Sequence, residues 1–551
     1  MNTTDHNIAS HLVRRAAERP YAAAVIYPHG HDSQRRVSYT HLTYRQLDSY
    51  SNRIAAALDN AGVEPGQRCA VMVTVSLDFF AITFALFKLG AVPVLIDPGM
   101  GIKNIKTCLA EAQPQVFIGV TKAHLARLIM GWGKDSIRLN ITTAAAFWRD
   151  CVSLRTLCSK VGDSWTCHQP GSDDIAAILF TSGSTGVPKG AVYSYANFNA
   201  QIDALRRLYA IEPGEIDLCT FPLFALFAPA LGMTAVIPDM DATRPARVNP
   251  QHIFTAIDDF GVTNMFGSPA LLRRVAAAGT KQQRRLPTLK RVISAGAPVS
   301  ADILEQFSAM LDDDSAIHTP YGATEALPVC SVDSTTILTT TRHRTENGAG
   351  VYVGKPVDSI ELHIISICDS AIAHWDDGLC VADGTIGEIC VRGPQVTAAY
   401  FNRPESTALG KIACADGGFI HRMGDVGYRD KDGGIWFCGR KSHRVQTVEG
   451  TMFTIPCEAV FNTHAAVYRT ALVGIGSAPK QTPVLCVELH HYGNRRQRAK
   501  VERELRTIAA RFEHTRSIQH ILFHRCFPVD IRHNAKIFRE KLALWAQKKL
   551  G

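Results

Sequence analysis

The apolar run Ile175-Ala176-Ala177-Ile178-Leu179-Phe180 passes directly into Thr181-Ser182-Gly183-Ser184-Thr185-Gly186-Val187-Pro188-Lys189-Gly190. That junction constrains the fold more than any other stretch of the chain. A short unbroken apolar run bounded by glycines reads as a buried strand. The ten residues after it hold four hydroxyls, three glycines and a lysine. Glycines let backbone N–H groups turn toward a ligand without Cβ interference, hydroxyls add donors, and lysine adds a point charge, so the loop suits a polyphosphate. A merely flexible turn does not need such a density of donors beside a cation. The pattern G-x-x-x-x-G-K-[ST] cannot be fitted, because Lys189 stands between Pro188 and Gly190; a P-loop NTPase is thereby disfavoured.

Around this junction the chain alternates short apolar strands with amphipathic helices. Thr43 opens a helical run through Ala61, Arg68 to Val75 reads as a strand, and Leu77 to Leu89 as a helix. Gln115 to Val120, Val262 to Phe266 and Val292 to Ser294 continue the strands, and Gln251 to Phe260 and Ala301 to Leu311 continue the helices. This βα layering predicts an α/β fold with a mostly parallel sheet system. From Gly350 to Gly439 glycine-rich, strand-like pieces predict a smaller β-rich module. At 551 residues the chain exceeds a single core. Composition and charge shift together near Arg440, which sets the expected boundary between a large domain, 1–439, and a small domain, 440–551.

The net charge of +9 belongs to the tail: residues 440–551 hold 20 Lys+Arg against 8 Asp+Glu. Such a basic face attracts ATP, pyrophosphate, an acidic partner or an anionic surface. No nucleic-acid-binding pattern accompanies it, so no nucleic-acid partner is expected. Fifteen cysteines without zinc-like spacing, and a polar Met1–Ser10, point to reduced thiols and a cytoplasmic location. Leu218 to Pro238 carries no charge and has the length of a bilayer span. However, Pro222, Pro229, Gly232 and Pro238 interrupt it, so it reads as the wall of an apolar ligand site and no transmembrane segment is expected.

Four further constellations carry chemistry. Tyr321-Gly322-Ala323-Thr324-Glu325 pairs an aromatic face suited to adenine with a carboxylate suited to Mg²⁺. Ser294-Ala295-Gly296-Ala297-Pro298 ends a strand with residues small enough for a flat base to approach. Gly424-Asp425 and Gly439-Arg440 supply a carboxylate and a guanidinium for ribose and phosphate. Near the end stands Arg532-His533-Asn534-Ala535-Lys536. Taken singly, each also reads as a turn, a surface ion pair or a solvated lysine.

Their order and spacing, from Tyr39 to Leu542, resemble the adenylate-forming superfamily of acyl-CoA synthetases, nonribosomal adenylation domains and luciferases. Gly387-Glu388-Ile389-Cys390-Val391-Arg392-Gly393-Pro394, followed by Tyr400, Pro404, Glu405 and Thr407, resembles that family's core motif. The resemblance implies a large N-terminal domain of layered α/β subdomains plus the β-rich module, and a small mobile α+β C-terminal lid. It implies that Thr181, Ser182, Gly183, Ser184, Thr185, Gly186 and Lys189 cradle the triphosphate of ATP. Gly296 and Ala297 would flank adenine, Tyr321, with Gly322 and Thr324 beside it, would stack on it, and Glu325 with Thr181 would ligate Mg²⁺. Asp425 and Arg440 would hold the ribose, and Lys536 would bridge the carboxylate and the α-phosphate.

Three positions depart from the common pattern: Ala225 where many relatives have histidine, Ser442 at the hinge, and Ala535 before the lysine. There is extra length between Ile360 and Glu388. The segments 97–101, 221–232 and 527–539 look most like the β-lactone synthetases of bacterial long-chain olefin biosynthesis. That resemblance implies a 2-alkyl-3-hydroxy fatty acid substrate, adenylated and then closed by its own 3-hydroxyl. Phe221, Phe224, Phe227, Met265 and Ser268 would line the acyl channel. The expected company is the pathway's β-lactone decarboxylase and ketone reductase. Gly450, placed like a thiol-channel loop, keeps a long-chain acyl-CoA or acyl-carrier ligase open. A nucleotide-binding scaffold without chemistry is the remaining alternative.

Overall fold

The computed structural model describes residues 6–146, 148–181, 187–529 and 537–551, with only the backbone of Pro98 and Thr181. Ser182 to Gly186 and Lys536 lie outside the described residues. The N-terminal layers begin as their sequence dictates. Thr43 caps the helix Tyr44–Asn60 reciprocally: Gln46 N donates to Thr43 Oγ1 at 3.2 Å and Thr43 N donates to Gln46 Oε1 at 2.9 Å. The helix Leu77–Leu89 starts at Ser76, whose Oγ accepts from Phe79 N, and stops at Gly90 with φ +78°. It is apolar on nearly every side because it is wedged inside the largest core. Its buried Lys88 is compensated by Asp48 Oδ1 at 2.6 Å and Asn52 Oδ1 at 2.5 Å.

A seven-stranded sheet runs in the spatial order 152–153, 139–142, 116–119, 68–72, 92–96, 175–181 and 189–194. It is parallel except for its last strand, Lys189–Ser194, which returns antiparallel to Ile175–Thr181 with Thr181 opposite Lys189. The phosphate-loop candidate therefore joins two strands of one hairpin. A second, fourteen-stranded sheet has a parallel half built from 23–31, 234–236, 216–219, 264–266, 291–293 and 316–323. It continues antiparallel through 326–333, 351–356, 435–440, 419–429, 387–392 and 361–365. The β-rich module expected over 350–439 is thus joined edge to edge to the α/β sheet. Within its extra length, Ile372, Trp375 and Leu379 pack on a small core of Ile365, Cys390, Ile412 and Ile420.

Beyond Arg440 come a hairpin of Val445–Thr447 and Gly450–Met452 and a three-stranded sheet of 467–475, 482–489 and 520–523. Helices 454–462, 495–510 and 539–550 pack with them around two cores of their own. The uncharged stretch 218–238 forms two strand ends and the short helices Pro222–Ala225, which Pro222 opens, and Phe227–Leu231, which contains Pro229 and stops at Gly232. Among the described residues no helix is long and apolar enough to cross a membrane. All fifteen cysteines are free thiols.

Candidate active site

Both large sheets and the β-rich module meet at a cavity of about 470 Å³. Its polar end is built from Lys189 on the returning strand of the hairpin, Thr324 and Glu325 at a β-turn, Gly424 and Arg440. Tyr400 Oη donates to Glu325 Oε1 at 2.6 Å, and Lys189 Nζ stands 5.0 Å from the centre of the Tyr400 ring. Tyr400 thereby spaces a cation from a carboxylate. Thr397 N donates to the Glu325 carbonyl at 2.8 Å and the Tyr193 hydroxyl donates to the Thr324 carbonyl, so the turn bearing Glu325 is held from two sides. Gly322 is obligatory there, since a Cβ would sit 2.5 Å from the Ala326 carbonyl oxygen.

Behind this wall Asp425 is buried. It accepts from Tyr321 Oη at 2.7 Å and pairs with Arg440 Nη1 at 2.9 Å. Burial raises its carboxyl above the usual range, against the pull of Arg440 and Tyr321. Arg440 is held protonated by Asp425. Gly296, at φ +93°, and Ala295 line the cavity where the strand Arg291–Ile293 ends. The buried Ser294 hydroxyl beside them has no hydrogen-bond partner among the described residues.

Two groups of charges here were not foreseen as groups, although Glu388 stands in the core motif read from the sequence. Glu388, fully buried, pairs with Arg422 at 2.7 Å and with Lys441 at 2.9 Å, and all three border the cavity. Lys441 Nζ also donates to the Cys368 carbonyl at 2.8 Å, and Arg444 pairs with Asp369. Lys411 donates to the Thr397 carbonyl and lies 5.0 Å from the centre of the Phe419 ring. Burial pushes its ammonium down to about 7, against the charge of Glu325. The neighbouring His421, whose Nδ1 lies 2.9 Å from the Gly410 carbonyl, is held neutral by burial and by Lys411. An isolated lysine or arginine carries no sequence signal of its burial, which only the strand pairings reveal.

The other end of the cavity is apolar. Phe221, Phe224, Phe227 and Ser268 line it, with Phe224 stacked on Phe266 at 4.4 Å between centroids. Met265 does not. In the strand Asn264–Phe266 successive side chains face opposite ways, so Phe266 takes the cavity side while Met265 is buried in the core beneath. Ala297, Tyr321 and Asp425 likewise stand outside the lining. Residues that the sequence reading did not include complete the wall: Ile8, just before the first helix, and the helical Phe84, Phe87, Phe198 and Leu205. The all-round apolarity of Leu77–Leu89 was their one legible trace.

A hairpin ending in Lys189, a rigidly held Glu325 and a paired Asp425–Arg440, set at one end of an apolar cavity in this order along the chain, define an adenylate-forming enzyme fold. The chain belongs to the AMP-binding enzyme family, whose model matches residues 12–401. It is 48% identical over 549 residues to the olefin beta-lactone synthetase of Xanthomonas campestris pv. campestris, covering 99% of this chain and 98% of that one. A second olefin beta-lactone synthetase, from Stenotrophomonas maltophilia, is also 48% identical, over 552 residues, with 99% and 98% covered. Among solved structures, the amide bond synthetase McbA from Marinactinospora thermotolerans shares the fold with a TM-score of 0.79 at 20% identity, covering 98% of this chain and 99% of that one. The O-succinylbenzoate coenzyme A synthetase MenE from Bacillus subtilis, in complex with ATP and magnesium ion, gives 0.72 at 19% identity, covering 97% and 98%.

Proposed function

We propose that this chain is an AMP-forming ligase that converts a long-chain 2-alkyl-3-hydroxy fatty acid to a β-lactone. One observation carries the reading: near full-length likeness to two olefin beta-lactone synthetases, in a chain where one cavity joins an apolar end to Lys189, Glu325 and Arg440. In the first half-reaction a carboxylate oxygen bonds to the α-phosphorus of ATP and pyrophosphate leaves. In the second, the 3-hydroxyl oxygen of the same molecule bonds to the acyl carbon, AMP leaves, and the hydroxyl proton passes to solvent. Tethering of the attacking oxygen to the electrophile supplies much of the rate, because no second substrate has to be captured.

The residues fit the nucleotide. Gly296 and Gly424 adopt positive φ and open toward the cavity, the backbone freedom that a close-lying base and ribose require. Thr181 to Gly186 and Lys189 would hold the phosphates. Asp425 with Arg440 would hold the ribose, and Gly296, Ala297, Tyr321, Gly322 and Thr324 the adenine. Glu325, with Thr181, fits Mg²⁺, a hard cation that takes oxygen ligands; when bound it neutralises phosphate charge. We assign the basic chain from Arg440 onward to a lid that brings Lys536 to the reacting groups, with the boundary at 439/440. Both small sheets lie wholly beyond it, which supports that division. Cytoplasmic location and association with a β-lactone decarboxylase and a ketone reductase belong to the same proposal.

The test is to supply ATP, Mg²⁺ and a 2-alkyl-3-hydroxy fatty acid with and without coenzyme A, and to identify the product by mass and NMR. A β-lactone formed without coenzyme A is expected. A coenzyme A thioester overturns the reading in favour of an acyl-CoA ligase. Lys536→Ala is expected to lower acid-dependent pyrophosphate release by about two to four orders of magnitude; release left unchanged removes Lys536 from the mechanism.

A further inference from the structure

Away from the cavity's polar end, three side chains from separate parts of the chain converge. His31 closes the strand Ala23–His31, Asp239 follows the strand Thr234–Val236, and His252 lies in the first turn of the helix Pro250–Phe260. Their ligand atoms all lie within 4.8 Å of one another. Asp239 Oδ2 is 3.3 Å from His31 Nε2 and 3.2 Å from His252 Nδ1. Zinc bonds of about 2.0–2.1 Å in a tetrahedron put neighbouring ligand atoms about 3.3 Å apart. Two of the three edges therefore already have the spacing a tetrahedral ion requires. The third edge is free to shorten, because His31 is exposed.

We propose that His31, Asp239 and His252 form a transition-metal site of the zinc class, with its fourth position open to water. Two imidazoles and one carboxylate are the donor set that zinc takes, whereas Mg²⁺ prefers oxygen alone. His252 Nδ1 also lies 2.9 Å from the Asp239 carbonyl oxygen and donates to it in the metal-free form. Ligation needs the lone pair on Nδ1, so metal entry moves that proton to Nε2 or to solvent. The consequence reaches the cavity. Asp239 and His252 bracket a loop whose Ala242 and Pro245 line the apolar wall, so an ion would fasten both ends of that segment.

The experiment uses the full chain, stripped with a chelator and titrated with zinc alone by calorimetry, and separately with cobalt(II) followed in the visible range. One ion per chain is expected, with the absorption of a tetrahedral nitrogen and oxygen site and no sulfur-to-metal charge transfer. His252→Ala and Asp239→Asn should each weaken binding at least about tenfold, the scale of lost metal-site contacts, and should abolish the zinc-dependent rise in melting temperature. His31→Ala, at an exposed position, serves if either of those variants fails to fold. Absence of binding by the unaltered chain overturns the proposal. So does equal affinity in the variants, or a thiolate charge-transfer band that disappears when the exposed Cys380 and Cys526 are changed to serine.

Discussion

Replacing Lys411 by methionine should change how the stability of this protein responds to pH. Lys411 is packed beside Phe419 and Thr397, and burial lowers its pKa from 10.5 to about 7. At about 1.4 kcal/mol per pH unit, that shift is an unfavourable contribution of about 5 kcal/mol at pH values where both states are protonated. It is an upper value, because the side chain keeps some exposure. The sign follows from proton counting. Between pH 7 and 10.5 the unfolded chain holds a proton that the folded chain has released, so stability rises with pH across that window. In Lys411→Met this contribution is absent. Urea unfolding of both proteins, followed by tryptophan fluorescence from pH 6.5 to 9.5, should show the wild type gaining about 1 kcal/mol per pH unit over the variant from about pH 7.5 upward. Parallel stability curves, or a wild type that loses ground as pH rises, would refute the assignment of a neutral buried amine.

Glu325→Gln keeps the Tyr400 hydrogen bond but removes the charge, and should lower acid-dependent pyrophosphate release by about 10²–10³-fold with the fold intact by circular dichroism; a loss under about threefold would exclude Glu325 from the phosphate chemistry. Glu388→Gln leaves Arg422 and Lys441 facing each other in a buried site and should cost about 3–5 kcal/mol in chemical unfolding, while a cost below about 1 kcal/mol would mean that water reaches the cluster. Leu205→Trp narrows the apolar wall and should shift preference toward shorter acyl chains in competition assays, an effect that unchanged chain-length selectivity would disprove.

Much of the architecture was legible because it rests on local rules. Thr43 and Ser76 mark helix starts by side-chain capping, Gly90 marks a stop, and the short apolar runs mark strands buried on both faces. The constellations around Glu325, Gly424 and Lys189 do meet in one place, since glycines and charges at strand ends have few other reasons to cluster. Met265 was misplaced because a three-residue strand offers too little alternation to tell one face from the other; only its pairing with Leu218 and Val292 shows which way it turns. The Glu388, Arg422 and Lys441 cluster was silent for a different reason. Glu388 stands in the core motif, but its partners are far from it along the chain, and Arg422 and Lys441 taken alone carry no signal of burial. His31, Asp239 and His252 were likewise invisible until the strand order placed residues 23–31 beside residues 234–236.

The ties from Lys441 to Glu388 and Cys368, and from Arg444 to Asp369, bear on where the lid proposed above can turn. Both fasten the first residues after the boundary to the extra length of the β-rich module. A rotation about residue 440 would tear out a buried ammonium together with a guanidinium; one about the chain just past Arg444 would disturb neither. The axle of any such swing would therefore lie after Arg444, and the first five residues of the basic tail, 440–444, would travel with the stationary body.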